Sequence, residues 1–160
     1  MNMIDNISID DIFNNSDIKC NEPFIIEHTG AVVSNFIYYL NYGGLYDVFG
    51  NQKDKYLKQI VNKEVTIIRN KQIVQMLAYN NLCNIIKKHN LNNNNWSPDW
   101  TEHGQMKCYL EYSYKTKEFY VSYCRMHQNI PNELFFDASL QGEQLTKAIA
   151  YFKVYLGIDI

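Results

Sequence analysis

The chain is predicted to be an α+β protein, with a helical N-terminal half followed by a three-stranded antiparallel sheet covered by a C-terminal helix. Three observations carry this prediction. Up to about residue 91 the apolar residues recur mostly at helical spacing, and beyond residue 96 they alternate with polar ones at the period of a strand. Between these regions lies the run Asn92-Asn93-Asn94-Asn95, then Trp96-Ser97-Pro98-Asp99-Trp100, two tryptophans around a proline in a stiff aromatic loop. At 160 residues the chain suits one compact domain or two small halves sharing a core. The expected divisions are a polar acidic segment 1–22, a helix-rich part 23–91, and a β-β-β-α part 96–160.

In the first part, Ser8 can cap a short helix containing Ile12 and Phe13, and Pro23-Phe24-Ile25-Ile26 reads as a short extended piece. Thr29 then reads as an N-cap. Val33, Phe36, Ile37 and Leu40 follow at the i, i+3, i+4, i+7 spacing of an amphipathic helix, which Gly43-Gly44 would end. Leu45 to Phe49 is ambiguous. A lysine-rich helix is expected from about Gln52 to Asn62, burying Tyr56, Leu57 and Ile60. Val65-Thr66-Ile67-Ile68 is β-branched and favours a strand. Asn70 is placed to cap the longest helix, reaching about His89, with Ile73, Leu77, Leu82, Ile85 and Ile86 on its inner side. Lys87, Lys88 and His89 suit its negative C-terminal end.

The second part is read from its alternation. Met106, Cys108, Leu110, Tyr112 and Tyr114 alternate with Lys107, Tyr109, Glu111 and Ser113, and Phe119, Val121 and Tyr123 repeat the pattern after the polar turn Lys115-Thr116-Lys117-Glu118. A loop centred on Thr116-Lys117 pairs Leu110 with Tyr123, Tyr112 with Val121, and Tyr114 with Phe119, which gathers one apolar face. Leu134-Phe135-Phe136 is expected to form the third strand after the turn at Pro131-Asn132. Asp137 or Ser139 can cap the closing helix, whose inner side carries Leu145, Ala148, Ile149, Phe152 and Leu156. A sheet this small needs such a cover to be stable.

Charge narrows the function classes. The formal charge is −2 and the pI near 6.1, which argues against general nucleic-acid binding through a basic surface. The distribution is uneven: residues 1–50 carry seven acids (Asp5, Asp10, Asp11, Asp17, Glu22, Glu27, Asp47) against Lys19, whereas residues 51–100 carry three acids and eight bases. Solvated or mutually neutralising faces explain this, and so does an acidic patch that meets a basic partner. The start lacks the basic and apolar regions of a secretory leader, and no stretch approaches the ~20 apolar residues of a membrane span. The expectation is a cytoplasmic protein with reduced thiols.

The candidate reactive groups do not assemble into a motif. His103, Cys108, Cys124 and His127 are zinc-ligand types near one hairpin. The register that gathers the apolar face sets Cys108 opposite Arg125 rather than Cys124, so a metal is not expected. Cys20 and His28 are neighbours only in sequence, with no elbow to activate the thiol. Asp99 and Glu102 flank Trp100, where an aromatic wall can raise a carboxylate pKa, but an aspartate after proline more readily starts a turn. Gly43-Gly44 and Gly50 form no phosphate cradle. No catalytic residue and no cofactor are assigned; a clustered histidine and carboxylate would revive an enzyme reading. Tyr109, Tyr112, Tyr114, Tyr120 and Tyr123 could stack unpaired bases, the alternative reading. Only Arg69 and Arg125 supply guanidinium groups, a poor endowment for base recognition.

The residues with most to offer a partner are Asp10, Asp11, Asp17, Glu22 and Glu27, with Trp96, Trp100 and Tyr120 if exposed; tryptophan and tyrosine are frequent interface anchors. The stretch from Leu77 to Leu156 resembles a group of small phage and prophage proteins. The resemblance is carried by a helix with an asparagine-rich stop, Trp96-Ser97-Pro98-Asp99-Trp100, Gln105-x-Lys107-x-Tyr109, a tyrosine-rich hairpin, Phe135-Phe136 and a helix from near Gln144. That group brings no catalytic residues. The resemblance implies a non-enzymatic protein that binds and blocks a host protein, an RNA-guided nuclease being one such target, in the manner of anti-CRISPR inhibitors. An acidic first third could compete for a basic nucleic-acid groove.

Overall fold

The computed structural model describes residues 8–28 and 36–158. They form a mixed α+β protein with four α-helices, a four-stranded antiparallel sheet and a two-stranded antiparallel one. Two compact units are formed: the first takes the chain up to Ala78 and the segment from Lys153, the second Tyr79–Phe152. No helix among the described residues is long and apolar enough to cross a membrane.

The first unit opens with α1 (Ile9–Ser16). Ser8 caps it as expected, its hydroxyl accepting the Asp11 N–H at 3.1 Å, and Asp10 and Asp11 sit in the first turn, where negative charge meets the positive end of the helix. Strands β1 (Phe24–His28), β2 (Ile37–Asn41), β3 (Gly44–Asp47) and β4 (Val65–Ile68) then build a sheet in the order β3-β2-β1-β4. Pairing sets Phe24 opposite Tyr38, Leu40 opposite Leu45 and Ile26 opposite Ile67. These residues line one face and form a buried core with Ile12 and Ile18, and with Leu57 and Ile60 of α2 (Leu57–Val61). A 3-10 turn, Asp54–Tyr56, leads into α2. The expected helix over 52–62 is thus present in shorter form, and the strand at Val65 is present as read.

The helical N-terminal half is corrected here to a sheet. Ile37 and Leu40 belong to β2 rather than to a helix, and Gly43 lies in the turn of the β2–β3 hairpin instead of ending a helix. Thr29 and Val33, the start of that expected helix, lie outside the described residues. Ile37, Tyr38 and Leu40 are all buried, so both faces of β2 are apolar and the alternation that marks a half-buried strand is lost. Gly44 has φ +136°, and a Cβ there would stand 2.6 Å from Asp54 Oδ1. That carboxylate oxygen accepts the Leu45 N–H at 2.8 Å and so ties the turn to the 3-10 segment.

Helix α3 (Lys71–Asn92) begins in the first unit and continues in the second. Asn70 caps it, accepting the Ile73 N–H at 3.2 Å. Its buried stripe is Val74, Ala78, Leu82 and Ile86, whereas Ile73, assigned to the inner side from the sequence, is 49% exposed.

The second unit contains the hairpin β5 (Lys107–Ser113) and β6 (Glu118–Cys124). Leu110 pairs with Val121 and Tyr112 with Phe119, a register two residues away from the expected one. A shift of two keeps every side chain on its face; Cys108 lies opposite Tyr123, not Arg125. The turn takes four residues, Tyr114 to Lys117, with Lys117 in the left-handed region at φ 62°.

The third strand is not formed. Asn132–Leu134 makes a 3-10 turn, and only Phe136 reaches β5, as a single bridge to Cys108 with both backbone hydrogen bonds present (2.8 and 2.9 Å). Phe135 and Phe136 are nonetheless fully buried. Helix α4 (Gly142–Leu156) starts later than expected, and neither Asp137 nor Ser139 caps it. Phe152 meets Phe119 edge-on at 6.0 Å. Gly157, at φ +71°, closes α4 with bonds from its own N–H to Val154 O and from the Ile158 N–H to Lys153 O, the usual glycine-ended stop.

Candidate functional site

The aromatic loop is built around a buried lysine. Lys107, the first residue of β5, is fully buried, and its ammonium donates to the carbonyls of Glu102 and Gln105, both at 3.1 Å. The Trp100 ring lies over it, 5.1 Å from the ammonium to the centroid. Trp100 also packs edge-on against Phe135 at 5.0 Å, touches the His127 ring, and donates its Nε1–H to Asn132 Oδ1 at 3.2 Å. Gln105 staples the loop, accepting the Asp99 N–H at 2.7 Å and donating to Ser97 O at 2.9 Å. Asp99 accepts from both Thr101 N–H and Oγ1–H; the hydroxyl's bond, first among several, holds the carboxyl below its ordinary value. Trp96 is half-buried, its backbone N–H bound to Asn90 O and Asn93 O. The Trp100 ring is thus engaged within the second unit, Trp96 is held by its backbone, and Asp99 starts a turn.

A histidine–carboxylate cluster does exist, where sequence reasoning did not place it. Asp137 accepts from His89 Nε2 at 2.9 Å, from Ser139 Oγ–H at 2.5 Å, from the Ser139 N–H at 3.2 Å, and from the Asn93 side chain. Burial works to raise the Asp137 pKa, but the hydrogen bonds from Ser139 and His89 outweigh it and hold the carboxyl below its usual range. Ser139 Oγ also lies 3.1 Å from the same His89 nitrogen. In a nucleophilic relay the serine and the carboxylate use opposite ring nitrogens. Here both meet Nε2, so the carboxylate competes with the serine instead of orienting the ring towards it. The cluster fastens the end of α3 to the segment before α4.

Three of the thiols are not activated either. Burial is the leading cause that raises the pKa of Cys83, Cys108 and Cys124, the opposite of what a nucleophile or metal ligand needs. Among the described residues no three or more histidine, cysteine, aspartate and glutamate side chains come together in a way that could hold a metal ion.

The outer edge of β6 is an open strand edge in the second unit. The two Cys108–Phe136 bonds show that Cys108 turns its N–H and C=O away from β6. The Cys108–Tyr123 pair is therefore a non-hydrogen-bonded one, and by alternation so are Leu110–Val121 and Tyr112–Phe119. Phe119, Val121 and Tyr123 consequently direct their peptide groups outward, along an edge that no strand among the described residues covers. Val121 is 38% and Tyr123 66% exposed, so the apolar face expected from the sequence is covered at Phe119 and left open towards Tyr123. Tyr120, 43% exposed, points to the other face, with its hydroxyl hydrogen-bonded to the Glu111 carboxylate across the pair.

The acidic candidates all belong to the first unit. Asp10 and Asp11 belong to α1 and are exposed, Asp17 follows it in the left-handed region at φ 58°, and Glu27 lies in β1 opposite Thr66. Glu22 is committed to Arg69 in a two-pronged pair, Nε to Oε1 and Nη2 to Oε2, each 3.0 Å. Lys107 and the peptide groups at Val121 and Tyr123 were not singled out from the sequence, because a strand lysine reads as solvent-facing and edge polarity depends on a long-range bridge; Asp137 was read only as a helix cap. Comparison with protein-family models, with curated proteins and with solved structures gave no match to the chain.

Proposed function

We propose that this is a non-enzymatic interaction protein that binds an extended segment of a partner protein along the outer edge of β6. The observation that carries the reading is the row of outward peptide groups at Phe119, Val121 and Tyr123, uncovered among the described residues. Natural sheets guard such edges with lysine, proline or a bulge inside the strand, because an open edge templates pairing. β6 (Glu-Phe-Tyr-Val-Ser-Tyr-Cys) has none of those residues. An added strand would gain backbone hydrogen bonds there, with Val121 and Tyr123 supplying apolar contact. Glu111 and Glu118 favour a segment with lysine or arginine facing that side.

From the phage-protein resemblance this reading takes the partner class, a host protein such as an RNA-guided nuclease, and a cytoplasmic setting. Single-stranded nucleic acid is the weaker reading: Tyr120, the more exposed of the two strand tyrosines on the Glu111 face, stands against that carboxylate, which repels phosphate.

The test is capture from a nuclease-treated host lysate, comparing the parent chain with Val121→Pro. Proline removes one outward N–H without touching the β5–β6 ladder. One stoichiometric protein should be recovered, and its yield should fall at least about tenfold with Val121→Pro while the circular dichroism spectrum is retained. Equal recovery with both chains, or recovery of nucleic acid alone from untreated lysate, would sink the proposal.

A further inference from the structure

The first unit holds a cleft of ≈ 620 Å³, the size of an ordinary small-molecule site. One wall is the turn Lys19-Cys20-Asn21-Glu22 with Pro23; the other joins Lys71, Val74 and Gln75 of α3 to Val154, Gly157 and Ile158. The turn is fixed: the Asn21 N–H donates to Leu40 O of β2 at 2.8 Å, the Glu22 N–H to Lys19 O at 3.1 Å, and the Lys19 N–H to the Glu22 carboxylate at 3.2 Å. The cleft therefore does not depend on a loose loop.

Its charge is unusual for an acidic region. Among the described residues, Lys19, Arg69 and Lys71 line it with Glu22 as the sole carboxylate. Arg69 and Glu22 neutralise each other in their bidentate pair, and the nearby Asp17 further favours the charged guanidinium. With that pair set aside, Lys19 and Lys71 remain, and among the described residues neither ammonium has a hydrogen-bond or ion-pair partner. Lys71 lies beside the carbonyl end of α4, where a Cβ on Gly157 would be 3.9 Å from its Nζ. A cation is favoured at that end, which explains Lys71 but not Lys19 across from it. The Gln75 amide nitrogen lies at the same place, 3.1 Å from that Cβ position, and adds a donor. Pro23 and Ile158 supply the apolar wall, with Val74 and Val154 buried behind it.

We propose that this cleft binds a small phosphate monoester with an apolar body. Two ammonium groups match a dianion, lysine serves phosphate well as a point charge, and the wall at Pro23 and Ile158 takes the ester's organic part. The site is independent of the β6 edge, and its failure would leave that reading untouched.

Phenyl phosphate is the probe, with benzoate and benzyl alcohol as the monoanionic and neutral controls. Two readouts use the intact chain: amide shifts at Lys19–Glu22 and Val74–Gln75, and protection of Cys20, the one exposed thiol among the described residues, from a bulky disulfide reagent. Phenyl phosphate should saturate both, benzoate should bind more weakly, and benzyl alcohol should do neither. Lys19→Gln with Lys71→Gln should weaken binding by about tenfold or more, the loss expected when charged hydrogen bonds are removed, with cooperative folding and the circular dichroism spectrum retained. Absence of saturable shifts, benzoate or benzyl alcohol binding as tightly, or indifference to the double substitution would each overturn the proposal.

Discussion

The Lys107 ammonium lies 5.1 Å from the centroid of the Trp100 ring, beneath the loop whose carbonyls it also ties together. A fully buried lysine persists only when its charge is compensated, and here two carbonyls and an aromatic face supply that compensation. Lys107→Met keeps the apolar stem but leaves the Glu102 and Gln105 carbonyls without their donor. A loss of about 1–3 kcal/mol is expected, with a red shift of tryptophan emission as Trp100 gains water. A variant as stable as the parent with unchanged emission would show that the loop does not depend on the ammonium.

Asp137 gathers four hydrogen bonds from His89, Asn93 and Ser139. Its folded pKa lies below the unfolded value, so its contribution to stability is present above about pH 4 and is lost as pH falls through the lowered folded value. Asp137→Asn should cost on the order of 1.5–3 kcal/mol at neutral pH, the range for bonds to a charged group. The gap between variant and parent should narrow in acid. Urea midpoints from pH 2 to about 7 test this; a gap that stays constant with pH would exclude the ionised carboxylate as its source.

Gly44 has φ +136° and meets Asp54 Oδ1 at 2.6 Å from an added Cβ. Gly44→Ala faces backbone strain of about 1–3 kcal/mol and displaces the carboxylate that accepts the Leu45 N–H. Cooperative unfolding at clearly lower denaturant is expected, with loss of amide protection at Leu45. Asp54→Ala, which gives up the bond without the strain, should cost less; the reverse order would place the constraint elsewhere.

How much of this was legible in the sequence follows from the range of each interaction. Ser8, Asn70 and the β5–β6 alternation were readable because caps and half-buried strands are set by residues within a few positions. β2 was misread as helix because Ile37 pairs with Ile25 on one face while Tyr38 pairs with Phe24 on the other, and a strand apolar on both faces has no period. Leu134-Phe135-Phe136 has strand composition, yet a 3-10 turn leaves only Phe136 to meet β5. The candidate edge was hidden for the same reason. Which peptide groups of β6 face outward follows from the Cys108–Phe136 bridge, a contact between residues far apart in sequence.

Tyr120 and Glu111 face one another across the β5–β6 ladder. The hydrogen bond to the Glu111 carboxylate, more than any other cause, raises the Tyr120 phenol pKa above its ordinary value of 10.0. The contribution to folding is thus present below the ordinary tyrosine pKa and fades as pH rises through the raised one. Replacing Glu111 by glutamine keeps a hydrogen-bond acceptor but removes the negative charge, so the phenol should titrate closer to the usual range. Ring-carbon NMR of Tyr120 as a function of pH, in the parent and in Glu111→Gln, reads this directly. The same substitution bears on the nucleic-acid reading: if the carboxylate is what keeps phosphate from this tyrosine, Glu111→Gln should raise oligonucleotide binding from nothing measurable to a weak, salt-sensitive affinity. Strong binding by the parent chain would show instead that Glu111 is no barrier and that the strand tyrosines are the working surface.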